Sequence, residues 1–257
     1  MSCAAETGPA ALRLRPPAVS KERLGVSPQS PAGSLAHAIP DYLARHYAWA
    51  YLSARNLPLL DRSLVVSAIL WGNYGRLQRA VLAELAPDQS ILQAACVYGQ
   101  LSPALAAVVG AHGQLDVVDV APLQVDNCRR KLAEYHHAKV RLADAARPAG
   151  GPYDAICCFF LLHELPDDHK RRVVDGLLAS LARDGKAIFV DYHKPHWAHP
   201  LKGPMRLVFA GLEPFAASLW HHEIADFASA ADAFVWRKQT FFGGLYQKSV
   251  AWRRPQP

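Results

Sequence analysis

The sequence has no run of about 18 consecutive apolar residues, the length a membrane-spanning helix requires, although 51% of its 257 residues are hydrophobic. Contact with a membrane, if any, is therefore expected to be peripheral. It has only five cysteines and no C-x-x-C pair, which excludes a zinc-ribbon or disulfide framework. Cys157 and Cys158 sit side by side in an apolar stretch and read as reduced core residues, pointing to a reducing compartment. Nucleic-acid-binding motifs and internal repeats are both missing, so no nucleic acid is expected as a partner. Acidic residues are outnumbered, and the formal net charge is +6. Two readings follow: a surface for anionic partners such as lipid headgroups, or a mildly basic soluble protein.

What is present divides into three parts. Residues 1–38 are rich in Ala, Pro, Ser and Arg and poor in apolar periodicity, and read as a disordered N-terminal arm. Arg13, Arg15, Lys21 and Arg23 leave an organelle-targeting role open, while Pro16, Pro17, Pro28 and Pro31 oppose the amphipathic helix such a role uses. Residues 39–86 read as a helical cap, with Asp41 as an N-cap and a concentration of aromatics through Tyr42, Tyr47, Trp49, Tyr51 and Trp71. These rings serve either as a lid over an apolar ligand or as ordinary packing. Residues 87–257 alternate strand and helix signals, the mark of a parallel sheet. Strands are expected at Ile91–Tyr98, Leu115–Val120, Val140–Ala143, Ala155–Leu162 and Ala187–Tyr192, then an antiparallel pair at Val235–Thr240 and Leu245–Trp252. Helices are expected at Leu101–Val109, Pro122–Tyr135 and Asp168–Ala182, and across about 200–230.

In a doubly wound sheet the ligand lies beyond the carboxyl ends of the strands, at the point where strand order reverses. The turn after the first strand reads Gln93-Ala94-Ala95-Cys96-Val97-Tyr98-Gly99. Asp119 ends the second strand, followed by Val120, and is placed to accept the ribose hydroxyls of an adenosine. Asp144 and Ala145 end the third, where a carboxylate meets an adenine amine. Gly99 to Asp119 spans one helix and one strand, the unit an adenosine site needs. Five parallel strands closed by an antiparallel pair resemble the class I S-adenosylmethionine (SAM) methyltransferases. The expected fold is thus α/β and Rossmann-like, a seven-stranded, mostly parallel sheet with an N-terminal helical cap.

The same turn departs from that family's pattern of an acid followed by alternating glycines. Those positions hold Gln93, Ala95, Val97 and Gly99, so only the last glycine remains. Val97 and Tyr98 keep the backbone farther from the ligand than glycines do. A carboxylate near the cofactor's ammonium holds it protonated, and with Gln93 in its place the neutral amine is easier to reach.

A second cluster is expected where the fourth and fifth strands end, at His163, Glu164, Asp191 and His193. Two imidazoles and two carboxylates suit a divalent ion such as Mn2+, Fe2+ or Zn2+. The same residues also suit a hydrogen-bonded loop, or a general base without metal.

The strings Ala95–Gly99, Phe159–Glu164, Val190–His193 and Thr240–Lys248, with Tyr42–Tyr47 and Ile69–Tyr74, resemble the rhodoquinone-biosynthesis family RquA, over about residues 39–252. That resemblance implies conversion of ubiquinone to rhodoquinone, a ring methoxy group giving way to an amine, with SAM as amino donor and Mn2+ assisting. Cofactor contacts are expected from Gln93, Ala94, Ala95, Cys96, Tyr98, Gly99, Asp119, Val120, Asp144 and Ala145. The metal is expected on His163, Glu164, Asp191 and His193 or a subset of them, and proton transfer from His163, Glu164, His193 or Tyr98. The quinone's prenyl tail is expected against Tyr47, Trp49, Trp71 and the 203–220 helix, with Lys202 and Arg206 toward lipid headgroups. A cytoplasmic protein peripherally bound to the inner membrane is the corresponding expectation, its oligomeric state open. Two other functions remain: a conventional SAM-dependent methyltransferase acting on a quinone or another apolar molecule, and a non-catalytic SAM- or quinone-binding accessory protein.

Overall fold

The computed structural model describes residues 39–255, so the N-terminal arm read at 1–38 lies outside the described residues. The cap is five short helices rather than long ones: α1 (Asp41–His46), α2 (Ala48–Tyr51), α3 (Leu57–Leu60), α4 (Ser63–Ile69) and α5 (Tyr74–Leu82). Asp41 is the first helical residue, and Pro40 holds the cap position. The breaks have local causes. Pro58 opens α3 in its first turn, where a missing N–H costs nothing. Trp71 and Gly72 take left-handed backbone angles between α4 and α5. Only α5 buries a regular stripe, through Tyr74, Leu77 and Val81.

The remaining elements are β1 (Ser90–Ala94), α6 (Leu101–Val109), β2 (Gln114–Asp119), α7 (Pro122–Lys131), β3 (Ala138–Leu142) and β4 (Tyr153–Phe159). They continue with α8 (Asp167–Ala179), β5 (Leu181–Tyr192), α9 (Lys202–Gly211), β6 (Phe234–Phe241) and β7 (Tyr246–Arg253). The sheet has seven strands in the order β3-β2-β1-β4-β5-β7-β6. Strands β1 to β5 run parallel, and β7 pairs antiparallel with both β5 and β6. Chain order reverses between β1 and β4, so the crevice opens beyond their carboxyl ends.

β4 carries Cys157 and Cys158 into the core, both inaccessible to solvent. Burial pushes both thiols well above the usual range, to about 12 for Cys157, so they are inert packing groups. Several boundaries differ from the periodicity: β1 ends at Ala94 and not Tyr98 because Ala95 takes φ +77°, α7 stops at Lys131 short of Tyr135, and β3 is shifted to Ala138–Leu142. Phe160 adopts φ +50°, ending β4 before Leu162–Glu164 form a single 3-10 turn. The helix expected over Asp168–Ala182 ends earlier. α8 stops at Ala179, and Gly185 lies inside a longer β5, where a Cβ would come 2.6 Å from the Tyr153 carbonyl oxygen. The segment expected to be helical to about residue 230 is α9 followed by three 3-10 turns, because Pro214 cannot continue the helix.

Candidate active site

The carboxyl ends of β1, β2, β3 and β4 form the floor of one cavity, and cap residues including Tyr47, Trp49, Tyr51, Val66 and Ile69 form its roof. On one side the turn after β1 meets the end of β2. The Cys96 N–H donates to Asp119 Oδ2 at 2.7 Å, and the Ala121 N–H to Asp119 Oδ1 at 2.8 Å. Burial raises the Asp119 carboxyl to about 6, and the backbone amides of Ala121 and Cys96 oppose that rise. A carboxylate pinned by two amides is rigid, and each oxygen keeps a lone pair for a ligand hydroxyl. Val120, Asp144 and Ala145 line the same end of the cavity, with Asp144 Oδ1 accepting from the Ala146 N–H at 2.9 Å.

The turn keeps glycine-like geometry without the glycines. Ala95 takes φ +77° at a position where the methyltransferase pattern has glycine, a conformation that costs an alanine about 1–2 kcal/mol. Gly99 takes φ +83°, and a Cβ there would come 2.7 Å from the Tyr74 hydroxyl. Cys96, Val97 and Tyr98 line the cavity with Ala95, whereas Gln93, Ala94 and Gly99 stand behind it. Gly99 instead ties the turn to the cap: its N–H donates to Asp61 Oδ1 at 2.9 Å, and its carbonyl accepts from Lys131 Nζ at 2.8 Å. Lys131 and Asp61 pair at 2.8 Å. Gln93 is fully buried and donates to the Ala95 carbonyl at 2.9 Å, and its Oε1 has no partner. Tyr98 donates to the Ala50 carbonyl, accepts from Gln124 Nε2 at 2.9 Å, and stacks on Tyr51 with centroids 5.6 Å apart. With both bonding positions of its hydroxyl occupied, and burial raising it to about 12, Tyr98 is better placed to shape the cavity than to move protons.

On the other side a buried acid–base cluster faces the cavity. His163 Nδ1 lies 3.0 Å from Asp191 Oδ1, and the His163 N–H donates to Asp191 Oδ2 at 3.2 Å. Asp191 is 1% exposed and also accepts from the Tyr192 N–H at 2.8 Å. His163 Nε2 points between two carboxylates, Glu164 Oε1 at 3.8 Å and Glu213 Oε2 at 3.7 Å. Glu164 accepts a hydrogen bond from the Tyr51 hydroxyl, and the buried Tyr47 hydroxyl stands beside the Glu213 carboxyl. Burial, with Glu213 adding to it, raises Glu164 to about 8 against the pull of His163. Burial lowers His163, but Asp191, Glu213 and Glu164 outweigh it and bring the imidazole up to about 9. Near neutral pH the cluster therefore holds protons that the same groups would release in water.

His193 stands apart from this cluster. Its Nδ1 lies 2.9 Å from the Gly244 carbonyl oxygen and its Nε2 3.2 Å from Lys238 Nζ, close to Glu223. The strand ends at Tyr192, so the alternation that would bring Asp191 and His193 onto one face does not extend to His193. The set His163, Glu164, Asp191 and His193 thus does not converge, and Asp191 serves His163 and two backbone amides. Among the described residues no group of three or more His, Cys, Asp or Glu side chains is disposed to hold a metal ion. The residues do not fit the predicted metal. Glu213 was not a candidate from the sequence. Its signal was available: it is the sole acid between Asp191 and Glu223, set in an apolar and basic stretch.

Residues 91–185, from β1 into β5, match the family model described as a methyltransferase domain. Among solved structures, the N-methyltransferase NodS of Bradyrhizobium japonicum, in complex with S-adenosylhomocysteine, superposes with TM-score 0.51 at 16% identity. The match covers 80% of this chain and 95% of that one. A "possible exported protein" of Bordetella parapertussis gives TM-score 0.53 at 18% identity, over 76% of this chain and 70% of that one. The chain has the class I methyltransferase fold. Among curated proteins, none is a significant sequence match to it. Within that fold, the amide-pinned Asp119 stands at the end of β2, and the His163 cluster stands where β4 and β5 end.

Proposed function

We propose that this chain is a SAM-utilising transferase that acts on ubiquinone, replacing a ring methoxy group with an amine to give rhodoquinone, SAM being the amino donor. The observation that carries the reading is the buried cluster of His163, Glu164 and Glu213, backed by Asp191, opening into the same apolar-roofed cavity as Asp119. Asp119 accepts the ribose hydroxyls, and Asp144 with Ala145 borders the adenine. Gln93, a neutral group in place of an acid, leaves the donor's amine free of a stabilising carboxylate. The donor's amine adds to the ring carbon and methoxide leaves; the donor's α-carbon then loses its proton, its electron pair reduces the quinone ring to the quinol, and water hydrolyses the imine so formed, which breaks the donor's carbon–nitrogen bond and releases the aminated ring and the 2-oxo acid of the donor. In this scheme Glu164, protonated near neutral pH, supplies the proton that leaves with methoxide as methanol, and Glu213 takes protons from the attacking amine. The imidazole of His163, fixed by Asp191, stands between the two carboxyls and opposes the rise that burial gives each of them. Tyr47, Trp49 and Ile69 offer an apolar wall for the quinone and its tail.

A conventional methyl transfer is the second reading, favoured by the methyltransferase-domain match over residues 91–185. Mass spectrometry of products from purified protein, SAM and ubiquinone separates the two. Amination is expected to give a quinone that has lost methanol and gained an amine. A methylated product with stoichiometric S-adenosylhomocysteine overturns it. Repeating the assay with a chelator, then with added Mn2+, reads the metal dependence that the RquA resemblance implies.

A further inference from the structure

A second site lies outside the cavity, between α9 and the 3-10 turn Ala216–Trp220. Its floor is apolar, made by Phe209, Ala210, Pro214, Ala217 and Trp220, and its rim is Lys194, Lys202, Arg206 and His221. No acidic residue lines it. Among the described residues, none of Lys194, Lys202 and Arg206 pairs with a carboxylate. Trp220 packs edge-on against Phe209 with centroids 5.0 Å apart, and its indole N–H is buried without an acceptor. A groove with an apolar floor, a cationic rim and an unused buried donor is complementary to a molecule that is anionic and apolar at once.

The surrounding surface extends the same chemistry. α9 anchors itself through Met205 and Phe209 and turns Arg206 and Leu207 outward, leaving Leu207 76% exposed. The connection leading into α9 leaves Trp197 79% exposed, and Leu212 is exposed just beyond the helix. Exposed Trp and Leu beside Lys and Arg is the composition of a segment lying in a bilayer interface. None of the described helices is long and apolar enough to cross a membrane, so the contact would be in-plane.

We propose that this α9 groove is where the protein docks on an anionic phospholipid bilayer, Lys194, Lys202 and Arg206 meeting the phosphates and Leu207 and Trp197 entering the interface. Docking here bears on the active site through one short connection: Glu213 lines the cavity and Pro214, next in the chain, lines the groove. The surface stands on its own geometry and does not depend on the amination reading.

The test is co-sedimentation of the full chain with vesicles of phosphatidylcholine alone, and of phosphatidylcholine with phosphatidylglycerol. Binding is expected to the anionic vesicles only, and to weaken as salt shortens the screening length. Lys202→Glu with Arg206→Glu should weaken that binding by about 25-fold or more, at the usual contribution of each basic residue near an anionic surface. The basic residues of the N-terminal arm are unchanged in this variant, so such a loss assigns binding to the groove. Leu207→Ser, at an exposed position, is the companion variant should the double one misfold by circular dichroism, and it too should lose binding. Absent binding, equal binding to both vesicle types, or folded variants that bind like the parent would each overturn the proposal.

Discussion

The two sides of the cavity are built by different means. The side proposed for the cofactor is backbone: amides from two loops fix Asp119, and the turn after β1 is held by Ala95 and Gly99 in left-handed conformations. The side proposed for the acceptor is side chains, gathered from α2, the 3-10 turn after β4, the end of β5 and the loop after α9. A backbone cradle tolerates changes in side chains as long as the angles hold, which is how the turn keeps its shape with a single glycine. A side-chain cluster tolerates little, because each member sets the protonation of the others.

Substitutions on the two sides should therefore separate cleanly. The largest effect is expected from Glu164→Gln, which keeps the hydrogen bond to Tyr51 but removes the titrating proton. Turnover should fall by about 10²–10⁴-fold, with SAM affinity by calorimetry nearly unchanged; a parallel loss of affinity would merge the two sides into one. Asp119→Ala should show the reverse pattern, weakening SAM binding by about 100-fold through the loss of charge-assisted hydrogen bonds. Unchanged SAM binding in that variant would place the cofactor elsewhere.

Smaller effects concern stability. Gly99→Ala must hold φ +83° with a Cβ against Tyr74, and should lower stability by about 1–3 kcal/mol in chemical denaturation. Adding Tyr74→Phe should relieve only the contact with the hydroxyl. The pH profile is the gentlest probe. The folded pKa values of Glu164, about 8, and His163, about 9, lie above their ordinary values, so the folded chain binds more protons than the unfolded one between about pH 4.5 and 9. Stability relative to the acid end should fall as pH rises through that window, and Glu164→Gln should flatten its lower part. A wild-type profile that rises through the window would remove the raised pKa values from the explanation.

The same contrast explains what could be read from the amino-acid order. Strand and helix alternation from Ile91 to Trp252 made the sheet and its closing antiparallel pair legible, because burial on both faces leaves continuous apolar runs. Asp119 was legible because it follows its strand at a fixed spacing from the turn. The tie between Gly99, Asp61 and Lys131 was not, since Asp61 lies in the cap, 38 residues before the glycine it holds. Glu213 and Tyr51 were not legible either, for their roles depend on meeting His163 and Glu164 across 50 and 113 residues of chain. His193 failed in the opposite way: its spacing from Asp191 suggested a shared face, but the strand stops one residue short of it.

The most direct test supplies SAM carrying ¹⁵N at its amino group, together with ubiquinone, and reads the quinone product by mass spectrometry. If the cavity brings the donor's amine against the ring, the label appears in the quinone in proportion to turnover. A quinone product without the label, or a methylated product with the amine retained on S-adenosylhomocysteine, would contradict amino transfer.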